Sequence, residues 1–140
     1  MGKVQILAVL TMDGCLSSEL YDKAHQDLCL DRCGLDEIRK KAFYRVTPDY
    51  SISMLREWRK DCTNIRYLAE ATPDTADYIN GLLRMHAVDE IILYTVPFIS
   101  GSGRHFFKSA LPEQHWTLSS LKSYPNGVCR IIYILDKKAR

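Results

Sequence analysis

This sequence predicts an α/β fold with a mostly parallel central sheet, helices on both faces and a C-terminal antiparallel hairpin; three stretches carry the prediction. Ile91, Ile92, Leu93, Tyr94, Thr95 and Val96 form a nearly unbroken β-branched and apolar run, which suits a strand buried on both faces. A helical pattern stands ahead of that run and a further strand pattern ahead of the helix, so the three make a strand-helix-strand crossover and a parallel pair. Pro125-Asn126-Gly127 separates two more strand patterns and marks a tight hairpin.

Taken in order, Val4 to Thr11 is the first strand, and both of its alternating sets are apolar apart from Gln5, as a central strand requires. Asp13-Gly14 breaks it, because Gly tolerates positive φ and Asp can bond its own downstream backbone. Ser17 or Ser18 can cap a helix to about Leu28, with Leu20, Ala24 and Leu28 on one face. Cys29 to Gly34 reads as a helix end with a glycine stop, Leu35 to Lys41 as a short helix with Leu35 and Ile38 inward, and Ala42 to Val46 as a short strand. After the loop Thr47-Pro48-Asp49, Ser51 can cap a helix to about Lys60 in which Ile52, Leu55 and Trp58 face the core. Asn64 to Leu68 is the next strand.

Thr72-Pro73 is a helix-start signature, since the Thr oxygen accepts an orphan N–H and Pro at the first helical position has none to lose. This helix extends to about His86 and buries Ala76, Ile79, Leu82 and Leu83, while Gly81 inside it costs ~1 kcal/mol relative to Ala. Beyond the strand 91–96, Pro97 ends the ladder, and Gly101-Ser102-Gly103 permits a tight turn or a close approach. His105 to Ala110 reads as a short strand or a turn-rich segment. Trp116 to Tyr124 and Val128 to Leu135 form the hairpin, the second of them a mostly buried strand, and a charged tail follows.

A chain of 140 residues has the length of one domain with one sizeable core. The 19 basic residues nearly balance the 17 acidic ones, so neither a nucleic-acid nor a membrane surface is expected. The longest apolar run falls far short of the ~20 residues of a membrane helix. The opening MGKVQILAVLT lacks a signal peptide's apolar region and cleavage site, so a strand is expected there. Five cysteines without a disulfide-framework spacing favour a reducing, cytoplasmic setting. Cys29 and Cys33 have no His or second Cys pair at a zinc-like spacing, so no metal site is expected. The four histidines form no metal motif, and a hydrolase's nucleophile elbow is missing. Trp58 and Trp116 suit core or interface packing.

Three pieces of the sequence resemble one family. The order V-D-E, apolar strand, Pro, then G-S-G-R and two Phe, from Val88 to Phe107, is similar to the C-terminal part of the dihydrofolate-reductase-like superfamily. It most resembles the reductase domain of the bifunctional riboflavin-biosynthesis deaminase-reductase and its stand-alone relatives. ILAVLTMDGCLSS resembles that family's first strand and its Ser/Thr-apolar-Asp-Gly turn, and GVCRIIYIL resembles its terminal strand. The resemblance implies a single three-layer domain over residues 1–140 and an NADPH-dependent reductase passing hydride to a pterin-like or pyrimidine-ribose substrate. Family habit also implies a homodimer paired through C-terminal sheet elements.

The same resemblance assigns roles. Thr11 and Asp13 would be catalytic, bordering the cleft between substrate and nicotinamide, and Gly14, Glu70 and Phe98 would meet the substrate. Gly101, Ser102 and Gly103 would lie beside the nicotinamide with Ile99 at the pocket wall. Ala71, Thr72 and Thr75 stand where the family's diglycine lets the cofactor's pyrophosphate approach a helix N-terminus, and Arg45 or Arg104 would meet a phosphate. Each has a plainer reading beside it: a turn that merely ends the first strand for Asp13-Gly14, a solvated carboxylate for Glu70, a solvent-facing guanidinium for Arg45 and a tight turn for the glycine loop.

Two departures weigh on the cofactor. Ala71-Thr72-Pro73-Asp74-Thr75 replaces the diglycine, so a proline removes an N–H, methyl groups close the approach and Asp74 adds negative charge where a phosphate would rest. Tyr44-Arg45-Val46-Thr47 is the nearest match to the family's Gly-Arg-x-Thr element, with Tyr at the glycine, and one strand-helix unit in the middle is shortened or missing. These departures support the alternative of a non-catalytic relative with a degenerate cofactor site, acting as a binding or assembly module.

Overall fold

Strand β1 (Lys3–Leu10) is buried at every position but Lys3, because parallel partners flank it on both sides and helices cover both of its faces. The computed structural model describes residues 2–16, 34–60, 64–97, 99, 101, 104–108 and 110–136. The further strands are β2 (Cys15–Leu16), β3 (Tyr44–Arg45), β4 (Arg66–Glu70), β5 (Glu90–Thr95), β6 (Arg104–His105), β7 (Trp116–Ser123) and β8 (Cys129–Leu135). The main path of the sheet runs β3-β4-β1-β5-β8-β7, with β2 pairing β1 and β6 beside it. Strands β3, β4, β1 and β5 are mutually parallel; β8 is antiparallel to β5, and β7 to β8.

The described helices are α1 (Leu35–Lys41), α2 (Ile52–Lys60) and α3 (Ala76–Arg84). Leu55 of α2 and Ile79 and Leu82 of α3 pack with Val4, Ile6, Ala8, Tyr67 and Ile91 on one face of the sheet. Leu35 and Ile38 of α1 pack with Leu7, Val9, Leu68, Ile92 and Tyr94 on the other. The expected three layers are therefore present. Gln5, the polar residue in β1, is 4% exposed and donates from Nε2 to Glu90 Oε2 at 3.0 Å, which satisfies a group that burial would otherwise penalise. Tyr78 donates its hydroxyl to Tyr50 O at 2.8 Å, and burial pushes its phenol above the ordinary value, which keeps it a donor.

Most expected elements stand where the pattern places them, with three differences. Helix α3 starts at Ala76 and not beside Pro73, because the Thr72 and Thr75 hydroxyls each accept the other residue's N–H, at 2.8 and 3.2 Å, and close a turn ahead of the helix. Strand β4 reaches Glu70, two residues beyond the expected Leu68, held by its register with Lys3 to Leu7. Strand β8 is half-buried except at Leu135 and at exposed Ile134, where the pattern promised a mostly buried strand. The reason lies in β7: it is an edge, and Leu118 and Leu121 on it are 51% and 62% exposed. The helix expected from Ser17 or Ser18 to Leu28 lies outside the described residues. Among the described residues, no helix is long and apolar enough to cross a membrane.

Candidate functional site

The C-terminal ends of β1 and β5 lie side by side, with Leu10 opposite Thr95, and each delivers a glycine turn to the same edge of the sheet. After β1, Gly14 N–H donates to Thr11 O at 3.0 Å, a turn that needs the left-handed φ of 77 at Gly14. After β5, Gly101 stands at φ 76. A Cβ there would meet nothing within 4 Å, so the glycine is required by its backbone angle and not by crowding.

Asp13 joins the two turns. Its Oδ1 accepts the Thr11 hydroxyl in a short hydrogen bond, and its Oδ2 accepts the Gly101 N–H at 3.0 Å. Thr11, 2% exposed, also accepts the Cys15 N–H on Oγ1 at 3.1 Å. The two-residue ladder of β2 with β6 braces the same corner, and Phe106 N–H donates to Gly14 O at 3.1 Å. A carboxylate thus clasps two loops that are 88 residues apart in sequence. Met12 and Ile99, 63% and 67% exposed, are apolar side chains left in water near the clasp, a surface suited to the face of a planar ring. Cys15 Sγ lies 4.0 Å from His105 Nδ1 at this corner. Phe98, Ser102 and Gly103 lie outside the described residues.

A second group of predicted residues gathers one strand away. Strand β4 ends level with Leu7, so Glu70 stands beside β1 and about four residues, roughly 13 Å, short of the clasp along the strand. Glu70 Oε1 pairs with Arg39 of α1 in a short contact, and Oε2 lies 3.7 Å from Arg45 Nη1. Next to it, the Thr75 hydroxyl donates to Glu70 O at 2.9 Å, and the Thr72 and Thr75 hydroxyls lie 3.2 Å apart. Ala71 N–H is spent on Leu7 O at 2.7 Å. Bare backbone donors of the diglycine kind are therefore not offered here. With the Thr75 proton given to Glu70 O, the donor set is the Thr72 hydroxyl and two guanidiniums, groups that bind phosphate oxygens, with Glu70 and Asp74 as competing negative charge. In chemical type these residues fit a dinucleotide's phosphates through side chains.

Arg39 was not legible as a site residue, because its approach to Glu70 depends on α1 crossing beside β4. Asn80 was also missed. It is fully buried in α3, donates from Nδ2 to Phe106 O at 2.8 Å and accepts the Lys108 N–H at 3.0 Å, and so fixes the chain that leaves the glycine loop. Its signal was spacing: it lies four residues after Ala76, on the stripe that carries the core. Among the described residues no cluster of three metal-ligating side chains occurs.

No family model matches the chain, and no curated protein matches it. Solved structures do. The chain is similar to a candidate riboflavin biosynthesis protein from Shewanella sp. PV-4, with a TM-score of 0.63 at 11% identity over 96% of this chain and 99% of that one. It is similar to RibD of Acinetobacter baumannii, TM-score 0.60 at 13% identity over 98% of this chain, but it spans 59% of that protein's length. It is also similar to a dihydrofolate reductase from Enterococcus faecalis complexed with NADP(H) and RAB-propyl, TM-score 0.58 at 10% identity over 96% and 97% of the two chains. At such identities the likeness shows the fold, which is dihydrofolate-reductase-like.

Proposed function

We propose that this chain, with its dihydrofolate-reductase-like fold, is an NADPH-dependent reductase acting on a small pterin-like or pyrimidine-ribose substrate. The observation that carries the reading is the Asp13 clasp, which joins two glycine turns at the ends of adjacent central strands, where open α/β sheets place their ligands. The Enterococcus dihydrofolate reductase of the same fold is complexed with NADP(H), which supports the choice of cofactor. When bound, NADPH supplies the hydride. Gly101 would lie against the nicotinamide, and the Thr72 hydroxyl, placed by Thr75, would hold the phosphates with Arg39 and Arg45. The Asp13 carboxylate would accept N–H groups on the substrate's polar edge and orient it.

Titrating the purified protein with NADPH, read by Trp58 and Trp116 fluorescence and confirmed calorimetrically, tests this directly. Saturable binding at micromolar concentrations is expected; no binding up to millimolar concentrations would sink the reading. That second outcome would favour a cofactor-free binding or assembly module, the alternative supported by the mutual capping of Thr72 and Thr75 and by Asp74.

The same titration on Glu70→Gln gives a sharper result. Glu70 neutralises Arg39 and Arg45 where phosphates would rest, so removing its charge is expected to tighten NADPH binding by about threefold, in keeping with a partly exposed charge worth under ~1 kcal/mol. Weaker binding would mean that the carboxylate's main role is to hold the guanidiniums in place.

The reading includes a homodimer in a reducing, cytoplasmic setting. Leu118 and Leu121 on edge strand β7 lie across the ladder from half-buried Tyr133 and Ile131, an apolar face without a helix over it among the described residues. Light scattering is expected to give about twice the chain mass of 16.1 kDa, and Leu121→Lys is expected to return the chain mass. A wild-type monomer at the concentration assayed would remove the dimer.

A further inference from the structure

At the far end of the sheet from the clasp, roughly 20 Å away along β1 by strand rise, lies a cavity of about 400 Å³. It is lined by Arg56 and Arg59 of α2, by His86 after α3, and by Glu113, His115 and Asp136. The volume suits a small metabolite.

Its floor is a buried cation with unused capacity. Arg59 is 7% exposed, and its Nη1 donates to His86 O at 3.3 Å and to Asp89 Oδ1 at 3.5 Å. Its Nε is buried without a partner. Asp89 is shared, since its Oδ2 also accepts the Val4 N–H at 2.9 Å. A guanidinium nitrogen left unserved in a buried position is costly, and a bound anion relieves that cost. Gln114 Nε2 stands 2.9 Å from His86 Nδ1. Donation from that amide places the imidazole proton on Nε2, where it is a further donor. His86 holds φ 54, uncommon for a residue with a side chain.

The lining carries both signs of charge: guanidiniums from α2 and carboxylates from the segments around β7 and β8. Inorganic phosphate alone would use the first and be repelled by the second. We propose that this cavity binds a sugar phosphate, with the phosphate on Arg56, Arg59 and His86 and the sugar hydroxyls donated to Glu113 and Asp136. The planar guanidinium fork matches phosphate oxygens, and the carboxylates give the hydroxyls acceptors.

The test is an amide NMR titration of the full chain with glucose 6-phosphate, inorganic phosphate and glucose as separate probes. Glucose 6-phosphate is expected to saturate shifts at Arg56, His86, Gln114 and Asp136, at least about tenfold more tightly than inorganic phosphate. Glucose is expected to shift nothing there. Arg59→Ala would also remove the bonds to His86 and Asp89, so the informative variant is Arg56→Ala at an exposed position, which is expected to weaken binding by about tenfold, the loss of one charge-assisted contact. Absence of shifts at millimolar glucose 6-phosphate, equal affinity for inorganic phosphate, or unchanged binding by Arg56→Ala overturns the proposal. In the same amide spectra NADPH is expected to shift Thr11 and Gly101 at the clasp, and glucose 6-phosphate to shift Arg56 and His86 at the cavity, so the two readings fail separately.

Discussion

Asp13→Ala is expected to weaken NADPH binding about tenfold and to cut turnover by at least about a hundredfold, some 2.7 kcal/mol of transition-state stabilisation. The expectation follows from the geometry of the carboxylate. One oxygen accepts the Thr11 hydroxyl and the other the Gly101 N–H, so the substitution releases the loop after β5 from the turn after β1. It also removes the acceptor proposed for the substrate. Hydrogen bonds to a charged group contribute ~1.5–3 kcal/mol each when buried. This group is only partly buried, and a stability loss of about 1–2 kcal/mol in urea titration is the discounted expectation. Asn at the same position separates the two roles. Its amide oxygen can keep the Gly101 N–H while its NH₂ donates to the Thr11 hydroxyl oxygen, so it should hold the Gly101 amide, seen as unchanged hydrogen exchange, while removing the charge that orients the substrate. If Asp13→Ala turns over within about twofold of the parent, Asp13 is a latch alone and the catalytic assignment falls.

The parts of this architecture that were legible in the sequence are those written locally. The apolar run Ile91 to Val96, the turn pair Asp13-Gly14 and the hairpin Pro125-Asn126-Gly127 each specify a conformation through residues within a few positions of one another. The resemblance they carry implies the three-layer fold, and the similar solved structures share that dihydrofolate-reductase-like fold. What was not legible depends on contacts between distant segments. The pattern of β8 alternates well enough for burial on both faces, yet its exposure is decided by whether anything covers β7. Thr72-Pro73 carries a helix-start signature, but Thr75 competes for the same backbone groups and delays the helix. The Arg39 contact with Glu70 spans 31 residues and has no local trace. The corner around Glu70 therefore looked emptier in sequence than it is: the missing diglycine and Arg45 were visible, and Arg39 was not.

Asn80 is where the largest loss of stability outside the apolar core is expected. Its Nδ2 donates to Ala76 O and Phe106 O, both at 2.8 Å, and its Oδ1 accepts the Lys108 N–H at 3.0 Å, all from a side chain with no exposed surface. Asn80→Ala leaves the Phe106 carbonyl and the Lys108 amide without these partners, at ~1–3 kcal/mol for each buried group, and opens a small void as well. A loss of about 2–4 kcal/mol is expected, read as a lower urea midpoint at an unchanged m-value. Asn80→Asp is the more telling variant. At neutral pH it aims a carboxylate at two carbonyl oxygens and is expected to be less stable than the Ala variant. The introduced carboxyl has its folded-state value raised by burial and by those oxygens. Its neutral form is therefore the one the fold tolerates, and stability is retained in acid and lost as the pH rises through the raised value. If the Asp variant matches the parent at neutral pH, Asn80 does not hold the segment after the glycine loop, and the loop's position must come from the Phe106 side chain and the Asp13 clasp alone.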